Sequence, residues 1–176
     1  MRKILLLLAL CICFMANAHS IMGIPLGSSK GEVIKQLEQR GYTVQDEVYE
    51  LVVYNVRFGG LDYGRAIFEF EYVGNSYKFS SATFYMKFEI DEHDLANEYL
   101  DLILEMYNNK YGDELHDSWV DDNGDTVHGF GINPFKKDQY RVNIWMTKGY
   151  GMDGVSRYYL TVMYNPAYFT NNEDEI

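Results

Sequence analysis

IDEHDLANEYLDLILEMYNNKYG spans residues 90–112 and is the longest helical pattern in the chain. One face of this helix is predicted to be apolar and the opposite face polar; the apolar residues are Leu95, Tyr99, Leu102, Ile103 and Met106, and the polar ones Glu98, Asp101, Glu105 and Asn108. Asp91 is expected to cap the helix, with Ile90 and Leu95 as a hydrophobic staple and Gly112 as the left-handed stop. Strand-like sequence flanks the segment on both sides, so the pattern predicts a helix that packs on a sheet.

A second, shorter helix is predicted near the beginning of the chain, from about Lys30 to Arg40. Ser29 is the N-cap and Glu32 completes a capping box, while Gly41 ends the helix. Its apolar stripe is narrow and consists of Val33, Ile34 and Leu37. This helix is therefore expected to pack along one edge of a sheet.

Each helix is followed by sequence with the period of two that β-strands require. Residues 48–88 alternate apolar and polar side chains, with turns at Gly59-Gly60 and at Gly74-Asn75. Residues 119–132 contain Asn123-Gly124, a strong hairpin signal, and strands are predicted around residues 140–146 and 158–164, joined by the glycine-rich loop 148–154. Helix, strands, helix, strands is the resulting order, and an antiparallel meander follows each helix.

The fold class predicted from this order is α+β, with two repeats of a helix followed by an antiparallel β-meander and with both helices on one face of the sheet. The expected boundaries are a signal peptide at 1–18, a first helix-plus-meander unit at 19–89, a second unit at 90–166 and an acidic tail at 167–176. One continuous α+β sheet without a repeat is the alternative.

The first 18 residues have the three parts of a secretory signal peptide. A basic start, MRK, precedes the apolar run ILLLLALCICF and the small-x-small signal Ala16-Asn17-Ala18. Both cysteines, Cys11 and Cys13, lie inside this segment, so the mature chain is expected to contain no disulfide and no thiolate. The expected location is secreted, periplasmic or cell-envelope, with no integral membrane segment after cleavage.

The chain is strongly acidic, with a formal net charge of -11. Removal of Arg2 and Lys3 with the signal peptide makes the net charge -13, because residues 1–18 contain no acidic side chain. Such a charge excludes nucleic acid as a favoured partner. The expected partner is a protein or a cell-envelope glycan.

Short motifs at the two helices resemble a known kind of domain. Residues 24–33 read IPLGSSKGEV, a helix closed by Gly41 and a meander follow, and Lys110-Tyr111-Gly112 ends the second helix. This arrangement resembles the β-lactamase-inhibitory-protein-like and SmpA/OmlA-like domains, and secreted bacterial proteins that double the helix-plus-meander unit. The resemblance covers most of the mature chain at the level of pattern. It implies a sheet surface that binds another macromolecule, and it carries over no catalytic residue.

Two motifs resemble functional sites, a hydrolase nucleophile and a calcium loop, and each also has a structural explanation. Residues 27–31 match G-x-S-x-G, the nucleophile elbow of hydrolases, but the role of Ser29 as a helix cap explains the same residues. Residues 121–125, DDNGD, resemble a calcium loop, but Thr126 and Ile132 stand where an EF-hand requires glycine and glutamate. A small hydrolase is therefore the third-ranked function, and a solvated hairpin tip is preferred to a calcium site.

The histidines and carboxylates give no stronger indication of a metal site or of an enzyme than these two motifs do. Cleavage after Ala18 would leave His19 with a free amine, which together with its imidazole can bind copper, but His93, His116 and His128 are expected to be scattered over different elements. The 26 acidic residues place some carboxylate pair at a glycosidase distance by number alone. No catalytic residue, no metal ligand and no cofactor is predicted, and the sequence favours a non-enzymatic binding protein.

Strand alternation predicts where binding takes place. One set of strand residues should point toward the helices: Phe84, Met86, Phe88, Val142, Ile144, Met146, Leu160 and Val162. Their odd-numbered neighbours should then form an exposed aromatic and arginine face, with partner-binding candidates Tyr77, Phe79, Tyr85, Arg141, Trp145, Arg157 and Tyr159, and with Met163 beside them. A carbohydrate- or peptidoglycan-binding module is the alternative function. An ordinary sheet face, whose aromatic side chains support strand pairing alone, is the structural alternative.

Overall fold

One large antiparallel sheet organises the fold, which is α+β. The computed structural model describes residues 20–112, 116–132, 139–151 and 153–166; the signal peptide predicted at 1–18 and the acidic tail predicted at 167–176 lie outside these ranges. The helices are α1 (Lys30–Gln39) and α2 (His93–Tyr111). The strands are β1 (Ser20–Ile21), β2 (Ile24–Pro25), β3 (Val44–Asp46), β4 (Glu50–Phe58), β5 (Leu61–Val73), β6 (Ser76–Glu89), β7 (His116–Val120), β8 (Thr126–Ile132), β9 (Tyr140–Tyr150) and β10 (Ser156–Tyr164).

The strand order is β3-β4-β5-β6-β10-β9-β8-β7, and all neighbouring strands in it are antiparallel. Strands β6 and β10 pair at the centre, so the strands that follow α1 and those that follow α2 join into one sheet of eight strands. β1 and β2 form a separate two-stranded sheet. Strand β3 has no counterpart in the sequence-based expectation, because its three residues are too few to show a period.

Helix α1 confirms the prediction made from its capping residues. The backbone N–H of Ser29 donates to the Glu32 carboxylate at 2.8 Å, and the backbone N–H of Glu32 donates to the Ser29 hydroxyl at 3.4 Å. Gly41 follows the helix with φ +86°, a value that favours glycine. Val33 and Leu37 are fully buried.

Helix α2 has the predicted length, but its buried face is rotated from the predicted one. Ala96, Ile103 and Tyr107 are buried, whereas Leu95 and Leu102 remain 41% and 45% exposed. Ile90 and Leu95, the two residues of the expected staple, are both exposed. A 3₁₀ turn over Ile90–Glu92 precedes α2, and a Glu89–Glu92 capping box stands where Asp91 was expected to cap. Among the described residues, neither helix has the length and apolar character that crossing a membrane requires.

A single buried cluster joins both helices to the sheet. It contains Val33 and Leu37 of α1, and Ala96, Ile103 and Tyr107 of α2, together with alternate residues of the strands. The predicted inward set is confirmed: Phe84, Ile144, Leu160 and others are buried, and Met146 is partly buried against the cluster. The hydroxyls of Tyr107 and Tyr164 lie 2.6 Å apart within it, so these two phenols satisfy each other by a hydrogen bond.

The alternation of side chains is interrupted at several places, of which two concern predicted binding residues. β5 and β6 shift register at Glu69 and Phe70, so Ser80 is an extra residue in β6. Gly131 has φ +64° and lies between the β8–β9 pairs Phe130–Val142 and Ile132–Tyr140. Beyond each irregularity, odd-numbered and even-numbered residues exchange sides of the sheet.

Candidate binding surface

A row of directly paired residues crosses seven strands of the sheet. In strand order from β4 to β7, it consists of Tyr54, Arg65, Tyr85, Thr161, Trp145, Val127 and Trp119. Directly paired residues of antiparallel strands carry their side chains on the same face. All seven side chains of this cross-strand row therefore share one face, and at the usual strand spacing the row is about 30 Å long.

Four large side chains of this face surround one small polar residue. Thr161 is flanked across the strands by Tyr85 and Trp145, and along β10 its neighbours on the same face are Tyr159 and Met163. Thr161 is only 2% exposed. The predicted grouping of Tyr85, Trp145, Tyr159 and Met163 is thus observed. The three aromatic side chains, those of Tyr85, Trp145 and Tyr159, form the aromatic centre of the face.

The ends of the cross-strand row are more exposed than its centre. Tyr54 is 50% exposed and Trp119 is 38% exposed. Arg65 is exposed, and its guanidinium lies 6.0 Å from the centroid of the Tyr85 ring, within reach of a cation–π contact. Burial raises the pKa of the Tyr85 phenol above its ordinary value, so this side chain is a neutral donor at physiological pH.

Two candidates from the sequence do not lie on this face. Phe79 is fully buried and belongs to the core, and Tyr77 packs against the core and against the rings of Tyr49 and Tyr72. The prediction that Phe79 and Tyr77 point outward was wrong because the bulge at Ser80 reverses the alternation of β6.

Arg141 is also placed differently from the prediction. It lines a cleft of about 190 Å³ with Lys110 and Tyr111 of α2 and with the core residue Tyr164. Strict alternation along β9 would put Arg141 on the face of Asn143 and Trp145. Arg141 lies instead opposite Gly131, which has φ +64° and falls between two β8–β9 pairs that keep the same register.

Arg157 lies in register with Glu89 at the margin of the face, but its guanidinium is engaged within the protein. Nε is 3.0 Å from both Glu89 carboxylate oxygens, and Nη1 is 2.7 Å from Asp153 Oδ1. These bonds hold the pKa of the Glu89 and Asp153 carboxyls below their usual values. The Arg157 side chain is 13% exposed. Because it bonds both Glu89 of β6 and Asp153 of the β9–β10 turn, it holds that turn against β6.

At the β7 end of the same face, two aromatic rings lie over a glycine. Trp119 and Tyr140 stack with their centroids 5.6 Å apart, and the Tyr140 hydroxyl donates to Asp117 at 3.0 Å. A Cβ atom at Gly129 would come within 2.4 Å of the Tyr140 ring and 2.9 Å of Trp119. Only glycine therefore permits this stack.

A cleft of about 340 Å³ adjoins the stacked rings and is lined by Trp119, Tyr140 and three amides, Gln139, Asn143 and Asn165. The Asn143 Oδ1 atom is buried and accepts no hydrogen bond from the described residues. No pattern in the sequence predicted this cleft. The available signal in the sequence was Gly129 within a strand pattern, with Tyr140 further along the chain.

The G-x-S-x-G motif at residues 27–31 and the DDNGD motif at residues 121–125 both stabilise local structure. The Ser29 hydroxyl donates to Glu32 at 2.8 Å as part of the capping box. The Asp121 carboxylate accepts from the backbone N–H groups of Asn123 and Asp125, both at 2.9 Å. These bonds lower the pKa of Asp121 and hold the five-residue turn between β7 and β8.

Two of the histidines lie together, contrary to expectation. His116 Nε2 and His128 Nδ1 are 3.4 Å apart, and the His116 ring stacks on Phe130 with centroids 4.4 Å apart. His93, at the start of α2, instead contacts the Tyr158 ring at a tilted angle of 51°, with centroids 4.9 Å apart. The prediction of scattered histidines was wrong for the pair because antiparallel β7 and β8 bring residues 116 and 128 to adjacent rungs.

Comparisons of the chain with protein-family models, with curated proteins and with solved structures give no match. The function is therefore inferred from the geometry of the chain itself.

Proposed function

We propose that this chain is an exported, non-enzymatic binding protein that holds a macromolecular partner on the face of the cross-strand row. The signal-like residues 1–18 support export to the periplasm, the cell envelope or the medium. The resemblance to secreted helix-plus-meander proteins supports binding. The acidic charge argues against nucleic acid as the partner.

The architecture behind this proposal is a tandem of two helix-plus-meander units with both helices on the same side of the sheet. The strand order supports it, because β3 to β6 and β7 to β10 occupy the two halves of the sheet in opposite directions. The common cluster of α1 and α2 residues supports it as well. In this arrangement no described helix covers the cross-strand row, and the side chains of Tyr54, Arg65 and Trp119 are exposed to a partner.

The composition of the row carries the functional proposal. Tryptophan, tyrosine and arginine are the residues most enriched in binding hot spots, and they supply Tyr54, Arg65, Tyr85, Trp145 and Trp119 in one line. A length of about 30 Å equals the diameter of a small domain. A surface of this extent suits a folded protein better than a small molecule, which would require a concave pocket.

A carbohydrate- or peptidoglycan-binding module is the second candidate, and the cleft beside Trp119 and Tyr140 favours it. Stacked rings next to three amides offer both an apolar platform and polar partners for hydroxyl groups. This site occupies only the β7 end of the face. Binding there should depend on Trp119 and not on Tyr85.

Capture with the tag-free mature protein tests the proposal. Envelope extract, purified peptidoglycan and a glycan array are each offered to the native protein, to the Tyr85→Ala/Trp145→Ala/Tyr159→Ala variant and to Trp119→Ala. Tyr150→Ala is the matched control, since Tyr150 is an 81% exposed tyrosine outside the row. Loss of a saturable protein partner in the triple variant alone supports the proposal. Binding to glycan that is lost only in Trp119→Ala would replace it with the second candidate.

A further inference from the structure

The His116–His128 pair has the geometry of two ligands to one metal ion. Zinc binds histidine nitrogen at about 2.0–2.1 Å in tetrahedral sites, which places two ligand nitrogens about 3.3–3.4 Å apart. The distance between His116 Nε2 and His128 Nδ1 is 3.4 Å. In the metal-free protein this separation corresponds to a hydrogen bond between the two rings, and it equals the separation that two ligands of one ion would have.

The sheet and its neighbours hold both rings in place. His116 pairs with Phe130 and His128 pairs with Ser118, so the two histidines are diagonal neighbours on one face of β7 and β8. The His116 ring lies flat on Phe130, with an angle of 3° between the planes. The His128 ring lies next to the His116 ring, with their centroids 5.6 Å apart.

We propose that His116 and His128 form a two-histidine site for a divalent transition metal such as Zn²⁺ or Ni²⁺. Binding requires the tautomers with the proton on Nδ1 of His116 and on Nε2 of His128, so that the two facing nitrogens present lone pairs. Imidazole nitrogen suits these ions, whereas Mg²⁺ and Ca²⁺ prefer oxygen. Within the described ranges no group of three or more His, Cys, Asp or Glu side chains surrounds one point, so the remaining coordination positions are open to water or to a side chain of another molecule.

Isothermal titration of the tag-free mature protein with zinc chloride and with nickel chloride tests the site. One ion per chain should bind, and His116→Ala or His128→Ala should each weaken binding at least about tenfold. His93→Ala is the matched control and should bind as the native protein does. His19→Ala separates the pair from a site at the chain terminus, and it should also leave binding unchanged.

Two further measurements test whether a loss of binding comes from the two histidines or from misfolding. His116→Gln and His128→Gln retain side-chain volume, so equal loss of binding in these variants, with an unchanged thermal unfolding midpoint of the metal-free protein, excludes misfolding as the cause. Zinc should shift the ring-proton NMR signals of His116 and His128 and leave those of His93 in place. Absence of binding at millimolar ion, or binding that survives both single substitutions, would overturn the proposal.

Discussion

Gly129 is the residue on which the stacked pair of Trp119 and Tyr140 depends, and Gly129→Ala tests that arrangement. The added methyl group would lie 2.4 Å from two carbons of the Tyr140 ring, about 1 Å closer than ordinary contact allows. The Tyr140 ring must therefore move away from the sheet. Its stack with Trp119 is then lost, at a cost of about 0.5–1.5 kcal/mol, together with its hydrogen bond to Asp117, at a cost of about 0.5–1.5 kcal/mol.

Gly149→Ala is the matched control because its Cβ atom would meet the Tyr159 ring at 3.5 Å, an ordinary contact, on the same face of the sheet. Both substitutions reduce the entropy of the unfolded chain alike, so this contribution cancels when the two variants are compared. Urea unfolding should find Gly129→Ala less stable than Gly149→Ala by about 1–3 kcal/mol. Near-ultraviolet circular dichroism should change only in Gly129→Ala. Equal stabilities and unchanged spectra would refute the close packing of the rings on Gly129.

Further predictions follow from the bulge and from the buried tyrosines. Phe79→Ala should lower the free energy of unfolding by about 3–5 kcal/mol, whereas Tyr85→Ala on the opposite face should cost about 1 kcal/mol; urea titrations that reverse this order would place the bulge elsewhere. Burial raises the phenol pKa of Tyr63, Tyr107 and Tyr164 above 10. The unfolded chain then loses these protons first as the pH rises, so stability is fully present below about pH 10 and falls above it by up to about 1.4 kcal/mol per pH unit for each tyrosine. Urea midpoints at pH 8, 9.5 and 11 measure this fall, and Tyr164→Phe should make it shallower; a midpoint that does not change with pH would contradict the burial of these phenols.

Local signals in the sequence were sufficient for the start of α1 and for the hairpin turns. The capping box of Ser29 and Glu32 predicts α1 because both partners lie within one turn. Gly59-Gly60 and Gly74-Asn75 predict their hairpins because these residues accept positive φ, which Gly59, Gly60 and Gly74 adopt. Each of these features depends on neighbours in the chain and needs no knowledge of tertiary packing.

Features that depend on distant residues were not predictable in the same way. The apolar residues of α2 form two overlapping stripes, and contact with the sheet selects the one that contains Ala96, Ile103 and Tyr107. The bulge at Ser80 depends on the register between β5 and β6, and no residue type in β6 marks it. One such irregularity exchanges the faces of the side chains on its two sides, and for this reason Phe79 and Tyr77, which precede Ser80, were assigned to the wrong face.

In the candidate surface too, some features could be predicted from local sequence and others depend on distant residues. Tyr85, Trp145, Tyr159 and Met163 lie on regular parts of their strands, and simple alternation was enough to group them. The full cross-strand row requires the register of seven strands, which only the structure provides. The cleft at Trp119 and the pairing of His116 with His128 require it as well.

The affinity of the mature protein for its captured protein partner, measured with and without the aromatic centre of the face, tests the central claim most directly. If Tyr85, Trp145 and Tyr159 act as hot-spot residues, each contributes at least about 1 kcal/mol, and the triple alanine variant should bind about 100-fold more weakly or worse. Its circular dichroism spectrum should stay native, and Tyr150→Ala should keep the native Kd. A folded triple variant with the native Kd would contradict the claim that this sheet face binds the partner.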